Sequence, residues 1–190
     1  MCNKEIEVKF NIDNKDKDLV KKIRVLGAKK KFSQFQRTCG FFKPNFENIK
    51  EGIFPRLRLE GNRYTLGIKS KIKDKKYFKR KEFECHVADP ETIIKIFKTL
   101  GWTKIIIFEK IRSEWKLDKF KATICFDTLP WGKYLEIEAN PDKIELLIKK
   151  LNLKSNERIT SSYLGVYEDW CKNHNIKPKQ NIVFRKKKML

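Results

Sequence analysis

The sequence predicts an α+β fold, a mostly antiparallel sheet of about eight strands with helices on one of its faces. Two observations carry this. Charged and apolar residues alternate with period two in stretch after stretch, which in an extended chain sends them to opposite faces. Between these stretches lie segments with apolar residues at helical spacing, bounded by capping signals. A third observation concerns the polar face: Glu-x-Glu occurs three times in such strands, at 5/7, 82/84 and 136/138. An open sheet would leave these charges in water. About eight twisted strands also tend to curl and close, which removes the edges and turns one face inward. With the helices outside, closure gives a β-barrel lined by charge.

In chain order, KEIEVKF sets Glu5, Glu7 and Lys9 against Ile6, Val8 and Phe10. Leu19, Val20, Ile23 and Leu26 then fall at helical spacing, and Gly27 stops the helix because glycine accepts the left-handed conformation of a helix end. Phe32, Phe35, Phe41 and Phe42 mark a strand from Lys31 to Phe42, and Lys43 to Gly52, with Pro44, reads as a loop. In FPRLRLEGNRYTLGIKSK, Arg56, Arg58 and Glu60 oppose Leu57 and Leu59, Gly61-Asn62 is a hairpin signal, and the return strand carries Lys69. Phe78 to Val87 places Arg80, Glu82 and Glu84 together; Asp89-Pro90 then starts a helix with stripe Ile93, Ile94, Phe97 and Leu100. A long strand from Lys104 to Leu117 offers Lys110, Arg112 and Glu114, ATICFD offers Asp127, and YLEIEA offers Glu136 and Glu138. Asn140-Pro141 caps a helix through Ile144, Leu147, Ile148 and Leu151, and a last helix runs roughly from Ser161 to Asn173. The first and second Glu-x-Glu strands are each followed by a helix ending in Leu-Gly, at Leu26-Gly27 and Leu100-Gly101, a weak sign of internal duplication.

The chain has 190 residues, enough for one core, and the expectation is a single domain over 1–176 with a basic tail from 177 to 190 that is the least packed part. No apolar run approaches a membrane span, and the charged opening strand is no secretory signal. Cysteines at 2, 39, 85, 125 and 171 are odd in number and scattered, as expected of reduced thiols in a cytoplasmic protein. His86 and His174 stand alone, outside any metal-spaced cluster, and nothing around Cys125 marks an activated thiolate. A formal charge of +21 attracts polyanions without naming one.

The ordered set Glu5-x-Glu7-x-Lys9, Arg56-x-Arg58, Leu66-Gly67-Ile68-Lys69, Arg80-x-Glu82-x-Glu84, Lys110-x-Arg112, Asp127 and Glu136-x-Glu138 resembles the CYTH superfamily of triphosphate tunnel metalloenzymes, from about Glu5 to Tyr163. The resemblance implies a closed eight-stranded antiparallel β-barrel, a tunnel that binds a triphosphate end-on with Mg²⁺ or Mn²⁺. By the same resemblance Lys9, Arg56, Arg58, Lys69, Arg80, Lys110 and Arg112 are phosphate ligands and carry catalysis. Glu5, Glu7, Asp127, Glu136 and Glu138 are metal ligands, with Glu82 and Glu84 orienting the basic groups. The chain departs from the pattern at Gln36 to Phe42, where many members have an Asp and a Tyr-Phe, and at Gly67, where Thr is common.

The implied activity is hydrolysis of inorganic triphosphate or of a thiamine or nucleoside triphosphate. The alternative is a class IV-type adenylyl cyclase, in which the ribose 3′-hydroxyl attacks the α-phosphorus. A third reading is a non-catalytic module binding polyphosphate or RNA through its lysines. Three Glu-x-Glu pairs in an anion site, and phenylalanines mostly on the dry parity, weigh against that module. The expected partner is therefore a triphosphate-bearing small molecule rather than a membrane or nucleic acid, and homodimer formation is left open. Tyr167 and Trp170 are expected in packing, and Tyr163 as a plug at one tunnel mouth.

Overall fold

A computed structural model describes residues 3–13 and 15–185. Its strands are β1 (Asn3–Asn11), β2 (Lys29–Phe42), β3 (Ile53–Glu60), β4 (Arg63–Ile72), β5 (Phe78–Val87), β6 (Lys104–Leu117), β7 (Ala122–Leu129), β8 (Gly132–Glu138) and β9 (Asn181–Ile182). The helices are α1 (Asp16–Val25), α2 (Glu47–Lys50), α3 (Pro90–Thr99), α4 (Pro141–Leu151) and α5 (Tyr163–Asn173). The first eight strands follow the order β2-β3-β4-β5-β1-β8-β7-β6, and an antiparallel β2–β6 pairing from Lys29–Lys116 to Phe42–Lys104 closes the barrel. The charged parity turns inward in these strands except β2, whose inward residues Gln34, Gln36 and Thr38 are uncharged.

On β1, β7 and β8 the dry parity forms the core outside the barrel wall, whereas Ile68 of β4 and Phe83 of β5 stay exposed. Val8, Phe10, Ile124, Leu135 and Ile137 project outward onto Leu19 and Ile23 of α1 and Ile144, Leu147 and Ile148 of α4, all essentially inaccessible to water. At one end, Tyr163, Val166, Tyr167 and Cys171 of α5 pack on Phe108, Leu129, Trp131 and Tyr134. Sequence caps set the helix starts: Asp89 accepts from the Thr92 amide at 3.0 Å, and Ser162 accepts from the Gly165 amide at 3.2 Å. Gly27 and Gly101 both have positive φ, +89° and +84°, and end α1 and α3 in the same way. The two β-α-β units that these helices belong to meet through like strands, β1 with β5 and β2 with β6.

Three local expectations need correction. The loop after β2 contains the single helical turn α2. The stripe of α3 is not a packed face: no residue of α3 is buried, Leu100 is 67% exposed, and Phe97 is held by stacking on Phe41 at 4.3 Å. Nor is the segment after Lys177 unpacked throughout. Asn181–Ile182 adds a parallel strand to β6, Ile182 is buried against α5, and the Phe184 amide donates to Glu109 Oε2 at 3.0 Å. Cys2 and residues 186–190 of the basic tail lie outside the described residues.

Candidate active site

The barrel encloses a cavity of roughly 370 Å³. Its wall holds Glu5, Glu7, Lys9, Arg56, Arg58, Lys69, Arg80, Glu82, Glu84, Lys110, Arg112, Glu136 and Glu138, all the candidate residues except Asp127. Register explains the convergence. On β1, Glu5 lies opposite Arg80, Glu7 opposite Glu138 and Lys9 opposite Glu136; on β4, Lys69 lies opposite Glu82. Side chains on one face of neighbouring strands are within reach of one another, so Lys9, Arg56, Arg58, Lys69, Lys110 and Arg112 each pair with an acid, while Arg80 donates to the Gly52 carbonyl.

Lys9 is at the centre, 2% exposed, bonded to the Glu7 carboxylate, 3.9 Å from Glu136 Oε2 and 4.4 Å from the Phe78 ring centroid. Burial works against its ammonium, and Glu7 and Glu136 overcome that and raise its pKa. Lys69 Nζ donates to Glu5 Oε2 at 2.5 Å and lies 3.2 Å from Glu82 Oε2. Arg56 Nη2 donates to Glu82 at 2.6 Å and to Glu84 at 3.0 Å. Gly67 leaves room for this pair, since a Cβ there would sit 3.2 Å from Glu84 Oε1 and 3.5 Å from Arg56 Nε.

Asp127 stands behind the wall, 1% exposed. It accepts from Lys110 Nζ at 3.1 Å, from Arg112 Nε and Nη2 at 2.7 and 2.6 Å, and from Tyr163 Oη at 2.7 Å. Burial opposes its charge, and Arg112 and Lys110 more than compensate, so it stays a carboxylate. It is thus bonded to the basic residues of the wall and does not itself line the cavity. Tyr163, expected at a mouth, is buried among them, its ring centroid 5.4 Å from Lys9 Nζ and 5.2 Å from Lys110 Nζ. Cys125 is buried, and burial pushes its thiol up, away from reactivity.

Charge alternation had no means of finding Gln36, which bonds Glu60 at 2.6 Å while Glu60 accepts from Arg58 at 3.0 Å. The inward parity of β2 around Gln36 is uncharged, so it carries no ionic pattern. Glu114, which shares the parity of Lys110 and Arg112, also lines the cavity.

Among the described residues, no three His, Cys, Asp or Glu side chains close on a single point as a metal centre would. Glu5, Glu7, Glu82, Glu84 and Glu136 face basic partners instead. Their chemistry nevertheless fits a hard divalent cation, because all donors are oxygens that repel one another. Burial and Glu136 push the Glu7 carboxyl up to about 7, and burial with Glu5 and Glu136 pushes Glu138 up to about 7.

The profile of the CYTH domain matches residues 3–163. The chain belongs to the CYTH family. This CYTH domain is 31% identical, over 84% of the chain and 96% of the relative, to a Methanocaldococcus jannaschii protein named "Putative adenylate cyclase MJ0240". The PH1012 protein of Pyrococcus horikoshii OT3 shares 28% of its sequence and superposes with a TM-score of 0.70, covering 85% of this chain and 98% of that one. HpAC1 from Hippeastrum, whose structure is described as revealing a dominant triphosphatase activity, shares the fold at 13% identity and a TM-score of 0.62, over 95% of this chain and 99% of its own. CYTH neighbours thus include proteins named for adenylyl cyclase and for triphosphatase activity, which supports an enzyme. No helix among the described residues is long and apolar enough to cross a membrane.

Proposed function

We propose that the tunnel is the active site of a metal-dependent triphosphate phosphohydrolase. The observation that supports this reading is the charge balance of the wall, where eight basic residues (Lys4, Lys9, Arg56, Arg58, Lys69, Arg80, Lys110, Arg112) face eight acidic ones (Glu5, Glu7, Glu82, Glu84, Glu114, Glu136, Glu138, Glu168). A bare polyanion that drew the bases to itself would strand buried carboxylates without partners, at a cost of several kcal/mol each in principle. A triphosphate that arrives with a divalent cation satisfies both sets. RNA or free polyphosphate supplies no such match.

In this reading Lys9, Arg56, Arg58, Lys69, Arg80, Lys110 and Arg112 hold the phosphate oxygens and stabilise the charge that develops on the terminal phosphoryl group. Asp127 holds Lys110 and Arg112 in place, and Glu82 and Glu84 hold Arg56 and Lys69. Glu5, Glu7, Glu136 and Glu138 would hold Mg²⁺ or Mn²⁺, which when bound neutralises phosphate oxygens and makes water a better nucleophile. The buried Nε atoms of Arg56, Arg58 and Arg80 have no partner among the described residues, which fits guanidinium groups that receive an anion.

A second reading is favoured by the name of the M. jannaschii relative: an adenylyl cyclase using the same residues to hold ATP. Purified protein with inorganic triphosphate, thiamine triphosphate and ATP, each with Mg²⁺ or Mn²⁺, separates the two. Phosphate release is expected. Cyclic AMP and pyrophosphate from ATP, without phosphate, would establish the cyclase instead. Lys9→Ala and Arg58→Ala should each lower turnover by about a hundredfold or more, and unchanged turnover in both would remove the tunnel from the chemistry.

A further inference from the structure

The cavity has an apolar end that phosphate chemistry does not explain. Phe42, Ile49, Ile53, Phe54, Phe108 and Leu164 share its wall with the basic residues. They come from the end of β2, from α2, from the start of β3, from β6 and from α5. The segment carrying Ile49 is built, not loose. Asn48 is fully buried, accepts from the Lys43 amide at 3.0 Å and donates to the Ile53 carbonyl at 3.0 Å. Arg80 Nη1 ties the same segment to the ionic cluster through the Gly52 carbonyl at 3.5 Å. Gly40 makes the space for the aromatic pair, since a Cβ there would lie 2.7 Å from the Phe54 ring and 3.1 Å from that of Phe42.

Ile49 is 50% exposed although it lines the cavity, so the segment holds an apolar side chain at the rim with half its surface in water. The neutral amide, imidazole and threonine side chains that could read a base edge are not part of this wall. Among the described residues the wall contains no Asn, Gln, His or Thr side chain, Ser162 Oγ accepts from the Gly165 amide, Tyr163 Oη donates to Asp127, and Lys9, Arg56, Lys69 and Arg112 are paired with acids. We infer that this end seats the organic group of a triphosphate ester, so that the tunnel takes organic triphosphates in preference to inorganic triphosphate. It reads that group by apolar shape, with little regard for which base it is. The inference rests on the triphosphate reading above.

Calorimetric titration of the protein with Mg²⁺ and non-hydrolysable analogues tests it independently of the reaction catalysed. The probes are inorganic imidotriphosphate and the β,γ-imido analogues of ATP and CTP. The two nucleotide analogues should bind at least about tenfold more tightly than imidotriphosphate and within about fivefold of each other. Ile49→Ser and Leu164→Ser should each shrink the advantage over imidotriphosphate by about fivefold, with circular dichroism unchanged. Equal or tighter binding of imidotriphosphate overturns the preference, even though the triphosphate reading would stand. A base preference above about tenfold overturns reading by shape. Binding of none of the three overturns both the triphosphate reading and this inference.

Discussion

Lys110 shows how one residue's surroundings set a testable response. Burial, then the neighbouring Arg112, push its ammonium down to about 8, and Asp127 and Glu136 offset only part of that. The protonated form is the one that pairs with phosphate, so triphosphate affinity should fall as pH rises through about 8. Lys110→Arg should move this alkaline limb upward, because a guanidinium stays protonated; an unchanged pH profile would remove Lys110 from the phosphate site. Tyr163→Phe removes one of the bonds to Asp127 and leaves a buried carboxylate less satisfied, which should cost about 1–3 kcal/mol of stability in denaturant titration. At this scale the sequence was most legible where charges alternate. Glu5, Glu7 and Lys9 announced their shared face, whereas Gln36 sat on an uncharged parity and gave no sign of its place beside Glu60 and Arg58.

Among elements, α3 and α4 look alike in sequence and differ in the structure. Both carry an apolar stripe after a Pro-started cap, yet α4 buries Ile144, Leu147, Ile148 and Leu151 while α3 buries nothing. Helical periodicity says that a face is apolar and does not say what will meet it. α4 shares its half of the barrel with α1, so the two helices seal each other's flanks. Leu147→Ala should therefore cost about 2–5 kcal/mol in a denaturant titration, and Ile96→Ala on α3 within about 0.5 kcal/mol. Similar losses at both sites would contradict the packing described. The two-residue β9 had no chance of detection, since two residues cannot display a period.

For the whole molecule, closure was the step that local pattern reached only as one of two outcomes. Long-range pairing of β2 with β6 decides it, joining Lys29 to Lys116 at one end of the ladder and Phe42 to Lys104 at the other, beyond the reach of any local pattern. A separate clasp joins the outside elements: Glu145 of α4 accepts from Arg158 at 2.9 and 3.0 Å and from Tyr77 at 2.8 Å. These bonds, with Arg158 first, hold the Glu145 carboxyl at about 2, below its ordinary 4.5. A depressed folded-state pKa contributes stability that is complete above the unfolded value and is lost as pH falls toward the folded one. Unfolding midpoints should thus decline from about pH 4.5 to about pH 2, and Glu145→Gln should flatten that part of the decline. An unaltered acid limb in the variant would show that the clasp is idle.

Because consecutive residues along most of each barrel strand belong to opposite sides of its wall, chemistry and foldability are written on alternate letters of the same words. A saturation mutagenesis map of β1 should beat in twos, with turnover vanishing at Glu5, Glu7 and Lys9 and soluble yield vanishing at Ile6, Val8 and Phe10. Selection could then rewrite the substrate preference of this chain without touching the letters that keep it folded.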